Sequence, residues 1–301
     1  MTPREIVAEA WTITKKEVLL RRWGFAAALF ETLRNVELIL YQGYFLYWYF
    51  KGVTVGWLSV EVLFFESLPL WLFITVTVLL VILLILELFV PTLATGAIIG
   101  LAAKSYRKEE VKGGLVLALY NFFPMLEIHG LFLLSSFTTV FTVWSFILRY
   151  GGGELKYGAM AILIIVWTIS TLFHLFSSFA EEGVVIRKLG VFTSVGRSFK
   201  LILSHLGHVM FLFILMVVIS LRILLNASMI FLIPGIAIGF GLFLALFLPT
   251  SLSVIIATIV GLTLLVILSY FLAYLHIFKQ TVWTLTYMEL SKLKDLDIIE
   301  E

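Results

Sequence analysis

Leu68-Pro-Leu-Trp-Leu-Phe-Ile-Thr-Val-Thr-Val-Leu-Leu-Val-Ile-Leu-Leu-Ile-Leu86 carries no charge from end to end, and its reading decides the fold class. A helix needs roughly 20 consecutive apolar residues to cross the hydrocarbon core of a bilayer. This stretch has that length, with Trp71 near its start, where an interfacial aromatic belongs. It predicts a membrane-spanning helix.

Working outward, comparable stretches recur. Ile128–Leu148, Tyr157–Ala180 and Leu201–Leu221 each read as a crossing, and Ile223–Phe278, wholly uncharged, is long enough for two. Trp23–Phe50 reads as a first crossing that ends in the aromatic belt Tyr44-Phe-Leu-Tyr-Trp-Tyr-Phe50. It also carries Glu31, Arg34 and Glu37, which step by three and so share one broad helical face. An amphipathic surface helix running into a shorter span would explain that stripe equally well. Composition agrees with lipid burial: 61% of residues are hydrophobic and 13% charged, where soluble domains sit near a half and a quarter. Mean hydropathy is +1.10. A net charge of +2 argues against a nucleic-acid surface, and the lack of cysteine excludes disulfides, thiol catalysis, iron–sulfur clusters and thiolate zinc sites.

Basic residues set the expected topology. Sixteen of them, including Lys104, Arg107, Lys108, Arg187, Lys188, Arg197, Lys200, Lys292 and Lys294, fall on one side. Lys51, Arg149, Lys156 and Arg222 fall near the other. The positive-inside rule then places both termini in the cytoplasm and requires an even number of crossings. Met229–Leu248 would be a seventh, and it holds Pro234, Gly235, Gly239, Gly241 and Pro249, so residues 226–252 are expected to form an extracytoplasmic re-entrant or interfacial element. The expectation is an all-α polytopic bundle of six spans in three hairpins, each introduced by a basic amphipathic helix, with pseudo-repeats over 1–100, 101–186 and 187–301.

Ala180-Glu-Glu-Gly-Val-Val-Ile-Arg-Lys-Leu-Gly-Val-Phe-Thr-Ser-Val-Gly-Arg-Ser-Phe-Lys200, followed by a span, is similar to a stretch of one loose family. It resembles the multi-pass membrane domain attached to some glycerophosphodiester phosphodiesterases, and the uncharacterised stand-alone bacterial and archaeal relatives of that domain. Glu182-Gly183, Gly190, Arg197 and Ser198 carry the likeness; Ser194 stands where alanine is more usual. The soluble phosphodiesterase domain has no counterpart here. Its activity therefore does not carry over, and the resemblance implies a membrane module of ill-defined role.

Ionisable groups inside spans are the default functional candidates in a membrane protein. Glu87 is the single charge between Leu68 and Ala103, and Pro91 four residues on removes the backbone hydrogen bond to its carbonyl. With Glu31, Arg34 and Glu37 it makes a candidate ligand or ion path; a carboxylate resting at the interface is the plainer alternative. His129, His174, His205, His208 and His276 all map to the cytoplasmic half, and imidazoles suit metals or haem. Without a metal-binding spacing pattern, hydrogen-bonded histidines at helix ends explain them as well. Lys104, Arg107, Lys108, Arg187, Lys188, Arg197 and Lys200 are candidates for contact with anionic headgroups. Gly96–Gly100 and Gly235–Gly239 permit close helix packing.

Three functions follow in order. The first is a non-enzymatic membrane module that binds lipid or another hydrophobic ligand, or that assembles with partner subunits or further copies of itself. The second is a small secondary transporter or channel-like protein, which needs a water-accessible cavity at Glu87. The third is a metal- or cofactor-binding membrane subunit, which needs at least three of the histidines to converge on one point. No particular cofactor is implied.

Overall fold

The computed structural model describes residues 2–56 and 58–293, with the side chains of residues 216, 218–231, 234 and 293 left aside. Lys294 and the side chain of Arg222, both counted in the topology argument, lie outside the described residues. All regular structure among the described residues is helical: α1 (Pro3–Lys16), α2 (Val18–Phe50), α3 (Ser59–Ser67), α4 (Leu70–Tyr106), α5 (Gly114–Tyr120), α6 (Phe122–Leu131), α7 (Phe137–Tyr150), α8 (Leu155–Phe176), α9 (Ala180–Arg187), α10 (Val191–Ser204), α11 (Leu206–Leu244) and α12 (Thr250–Leu293).

Local chemistry explains several boundaries. α1 starts at a capping box, in which the Thr2 N–H donates to Glu5 Oε2 at 2.8 Å and the Glu5 N–H to Thr2 Oγ1 at 3.4 Å. Pro3 at the first helical position loses nothing, because its missing N–H would have no partner there. α5 begins after Gly113, whose φ of +80° is the left-handed conformation glycine adopts without strain. α4 and α9 both end in an Arg-Lys pair whose lysine is left-handed, Lys108 at φ +59° and Lys188 at φ +58°.

At the centre, α2, α4 and α12 pack on one another, α1 lies along α12, and α11 runs beside α12. Ile6, Ala10 and Ile13 of α1, Leu20 of α2, Ile98, Leu101 and Ala102 of α4, and Ile277, Phe278, Val282 and Leu285 of α12 form the largest buried cluster. α4 divides into two halves. Between Leu70 and Leu86 no residue is buried, whereas almost every residue from Thr92 to Ala103 is. Small residues make the second half packable: a Cβ on Gly100 would lie 2.8 Å from Leu117 Cδ1. The long leucines and isoleucines of the first half face outward, as a lipid-exposed helix requires.

Three helices are long and apolar enough to cross a membrane: α4, α12, and α8 with its continuation to Arg187. Counting each bent pair as one span gives up to five among the described residues. All-helical architecture with apolar crossings is therefore as expected, while six spans in three hairpins are not shown. Three expected segments also differ. Ile128–Leu148 is interrupted, because α6 ends at Leu131 and a 3₁₀ turn over Leu133–Ser135 precedes α7. Ser135 Oγ stabilises that turn by donating to the Phe132 carbonyl at 2.7 Å. Leu201–Leu221 bends by 95° at His205, and a 56° bend separates α5 from α6 at Asn121. Met229–Leu248 is no re-entrant break either. α11 continues through Pro234 to Leu244, and the chain turns back only over the residues before Thr250, where Pro249 prevents continuation.

Two groups of basic residues stand at separate places in the fold. Arg149 donates to Gln42 Oε1 at 3.1 Å and Lys156 to the Tyr49 hydroxyl at 3.3 Å, gathering the ends of α2 and α7 with the start of α8. Arg107, Lys108, Arg187 and Lys292 gather with Glu9 around the last turns of α4, α9 and α12. The latter is the basic end of the molecule.

Candidate functional site

Leu33, Val36, Glu37 and Leu40 fall on one face of α2, and this face forms one wall of an elongated apolar cleft of about 460 Å³. Ile233, Ala237, Ile238, Gly241 and Leu242 of α11 form a second wall, and α12 contributes a third from Thr250 through Ser253, Ala257, Thr258 and Gly261 to Leu265. Small residues hold α11 and α12 close without filling the space: Gly241 faces Ala257, and Gly261 faces Ala237. Gly235 and Gly239, the pair singled out for packing, meet nothing within 4 Å. Glu37 is the one ionisable side chain among the described lining residues. Such a cavity, mostly apolar with a single polar group at a fixed point, has the size and character of a small-molecule site.

Glu37 of α2 and Glu87 of α4 lie near enough to interact, with Arg34 close by. Glu87 itself is 1% exposed, its Oε1 has no partner among the described residues, and it does not line this cleft. The sequence candidates Arg34, Glu37 and Glu87 thus do come together. Glu31 points elsewhere, toward His276 Nδ1 at 3.8 Å.

The histidines divide. His129 Nε2 lies 3.3 Å from Glu181 Oε1, and its Nδ1 is 3.4 Å from Thr92 Oγ1. His174 Nδ1 is 2.9 Å from Ser135 Oγ, and its ring stacks on Phe132 at 5.0 Å. His276 faces Glu31, and His174 and His276 both lie near Glu181 and Lys279. His205 and His208 stand apart; His205 Nδ1 turns back 3.3 Å from the Leu201 carbonyl. Among the described residues no three His, Asp or Glu side chains form a group that could hold a metal ion. The convergence demanded of a metal site is therefore not met among the described residues.

Sequence reading missed the polar partners that complete this seam. Glu182 is fully buried, accepting from Gln280 Nε2 at 3.1 Å, and Gln280 also reaches Glu181 Oε2 at 3.5 Å. Gln280 stands four residues from His276 on α12, and that spacing was the available signal.

The stretch 180–200 proves to be a packing device. Ser194 Oγ donates to the Ala180 carbonyl at 2.6 Å, and a Cβ on Gly183 would collide with that hydroxyl. Ser198 Oγ donates to the Phe176 carbonyl at 2.9 Å and accepts from the Phe179 N–H at 3.1 Å. These bonds seat α10 against α9 and the end of α8.

The basic candidates differ in their contacts. Lys104 donates to the Lys112 carbonyl at 3.0 Å, and Arg187 to the Ser291 carbonyl at 3.4 Å. Lys188 donates to Asn121 Oδ1 at 2.9 Å beside the Tyr120 ring; partial burial lowers its ammonium below the usual lysine range. Lys200 is exposed on α10, and Arg197 half-buried.

Comparison with protein-family models, with curated proteins and with solved structures returns no match in any of the three.

Proposed function

We propose that this chain is a non-enzymatic membrane module that holds a lipid or another elongated hydrophobic ligand in the cleft between α2, α11 and α12. The cleft itself carries the reading. It is long, apolar on three walls, and carries one carboxyl, Glu37, among its described lining residues. A ligand with an apolar chain and a hydrogen-bonding head would match both properties. The likeness of 180–200 to multi-pass membrane modules of ill-defined role is compatible with that reading. Under the positive-inside rule the basic end faces the cytoplasm, in the cell membrane. The outward apolar surfaces of α8 and of the first half of α4 meet lipid, partner subunits or a second copy.

A transport path through Glu87 is less well supported, because that carboxyl is packed and does not itself line the cleft. Organic extraction of the purified protein, followed by mass spectrometry, tests the binding reading. A retained hydrophobic compound is expected. Thr258→Trp, which fills the cleft, should reduce its occupancy roughly tenfold, the effect of losing about 1.4 kcal/mol of contact. Ile259→Trp, on a neighbouring exposed position that does not line the cleft, should leave it unchanged. Equal occupancy in both variants would remove the cleft from consideration.

A further inference from the structure

At the basic end, a second cleft of about 520 Å³ opens between α1, the last turns of α4 and α9, and the end of α12. Arg107, Lys108, Arg187 and Lys292 line it, against Glu9. Helix C-termini carry partial negative charge and favour a cation each. Lys292 is paired with Glu289 at 2.9 Å and Arg107 lies 3.9 Å from Glu109, which leaves Lys108 and Arg187 with no carboxylate within 4 Å among the described residues, so the cleft retains capacity for an anion.

The backbone supplies a second, independent observation. α4 and α9 end on the same dipeptide, Arg107-Lys108 and Arg187-Lys188, and in both the lysine adopts positive φ. Glycine or asparagine takes that helix-ending position with less strain. The matching helix ends bring the two arginines, from elements far apart in sequence, to one cleft. Arg187 uses one terminal nitrogen on the Ser291 carbonyl at 3.4 Å, which fixes the guanidinium while its other N–H groups remain for a ligand. Lys292 is held at 2.9 Å from Glu289, which also accepts from the Tyr106 hydroxyl at 2.5 Å, so that wall is braced as well.

We propose that this cleft binds a phosphate group, with Arg107 and Arg187 as the paired forks and Lys108 and Lys292 as flanking charges. Planar guanidinium groups match phosphate oxygens two at a time, which suits either a phospholipid headgroup or a free phosphate. The site is independent of the apolar cleft and stands or falls without it.

The full-length protein in phosphatidylcholine nanodiscs, titrated with inorganic phosphate and followed by ³¹P line broadening, tests the free source. Native mass spectrometry from discs containing phosphatidylglycerol tests the lipid source. Saturable binding in one arm identifies the source. The double variant Arg107→Gln/Arg187→Gln should weaken that binding at least about tenfold, since each charge-assisted bond contributes a factor of this order. Lys108→Gly removes a charge while relieving the backbone, so it should weaken binding with an unchanged or higher thermal midpoint, which separates binding from folding. Arg22→Gln/Lys200→Gln, removing two exposed charges from outside the cleft, should bind as the parent does. No saturation in either arm, or equal loss in the two double variants, would overturn the proposal.

Discussion

Ser198 shows how a single side chain can decide the seating of a helix. Its hydroxyl donates to Phe176 and accepts from Phe179, which is fully buried, so the residue closes two backbone groups at once. Ser198→Ala would leave a buried N–H without a partner and should lower stability by about 1–3 kcal/mol, read as a drop in the thermal midpoint of the detergent-solubilised protein. Ser198→Thr, keeping the hydroxyl, should recover part of the loss. The pattern Glu182-Gly183…Arg197-Ser198 was visible in the sequence, but what its residues touch was not. Gly183 is small because of Ser194 Oγ, and no spacing rule encodes a collision between two helices. For the same reason Glu37 and Glu87 were legible as separate charges in apolar surroundings, while their contact depends on how α2 packs against α4. The histidines misled in the opposite way: a shared depth along the chain did not bring all five to one place.

Among the elements, those defined by long uninterrupted hydropathy were readable, and α4, α8 and α12 fall where the apolar runs lie. The bends at Asn121 and His205 and the turn over Phe132–Ser136 were not, because hydropathy stays high through them and only packing fixes the direction change. Pro234 misled because a proline in an apolar helix can be accommodated where neighbouring groups take up the freed carbonyl. The cleft between α2, α11 and α12 was invisible for a related reason: its walls are ordinary apolar residues, and the space exists only where Gly241 and Gly261 hold two helices together. Close approach also rules the α2–α12 contact. A Cβ on Gly24 would overlap the Ile277 side chain, so Gly24→Ala should cost about 1–3 kcal/mol by overpacking. Ile277→Ala opens a cavity of its own, yet the double variant should be more stable than the sum of the two losses predicts. A double-mutant cycle of thermal midpoints measures that coupling.

For the whole molecule, the segregation of charge makes orientation testable. The chain has no cysteine, so each one introduced is unique. Lys108→Cys at the basic end should be shielded from a membrane-impermeant maleimide in intact cells and react after lysis. Gly152→Cys, between α7 and α8, should react in both, and the reverse pattern would refute the assigned orientation. The centre of the molecule carries a further consequence, for biogenesis. The main cluster joins α1, α2 and α4 to Ile277, Phe278, Val282 and Leu285, which lie late in the last helix. Synthesis runs from the N-terminus, so Gly24 and Ile98 leave the ribosome long before the residues that cover them. The seam between α2 and α4, lined by the small residues of α4, therefore stays unfilled until α12 arrives to close it. A chain stalled before α12 would expose that seam, and quality-control proteases would find it there.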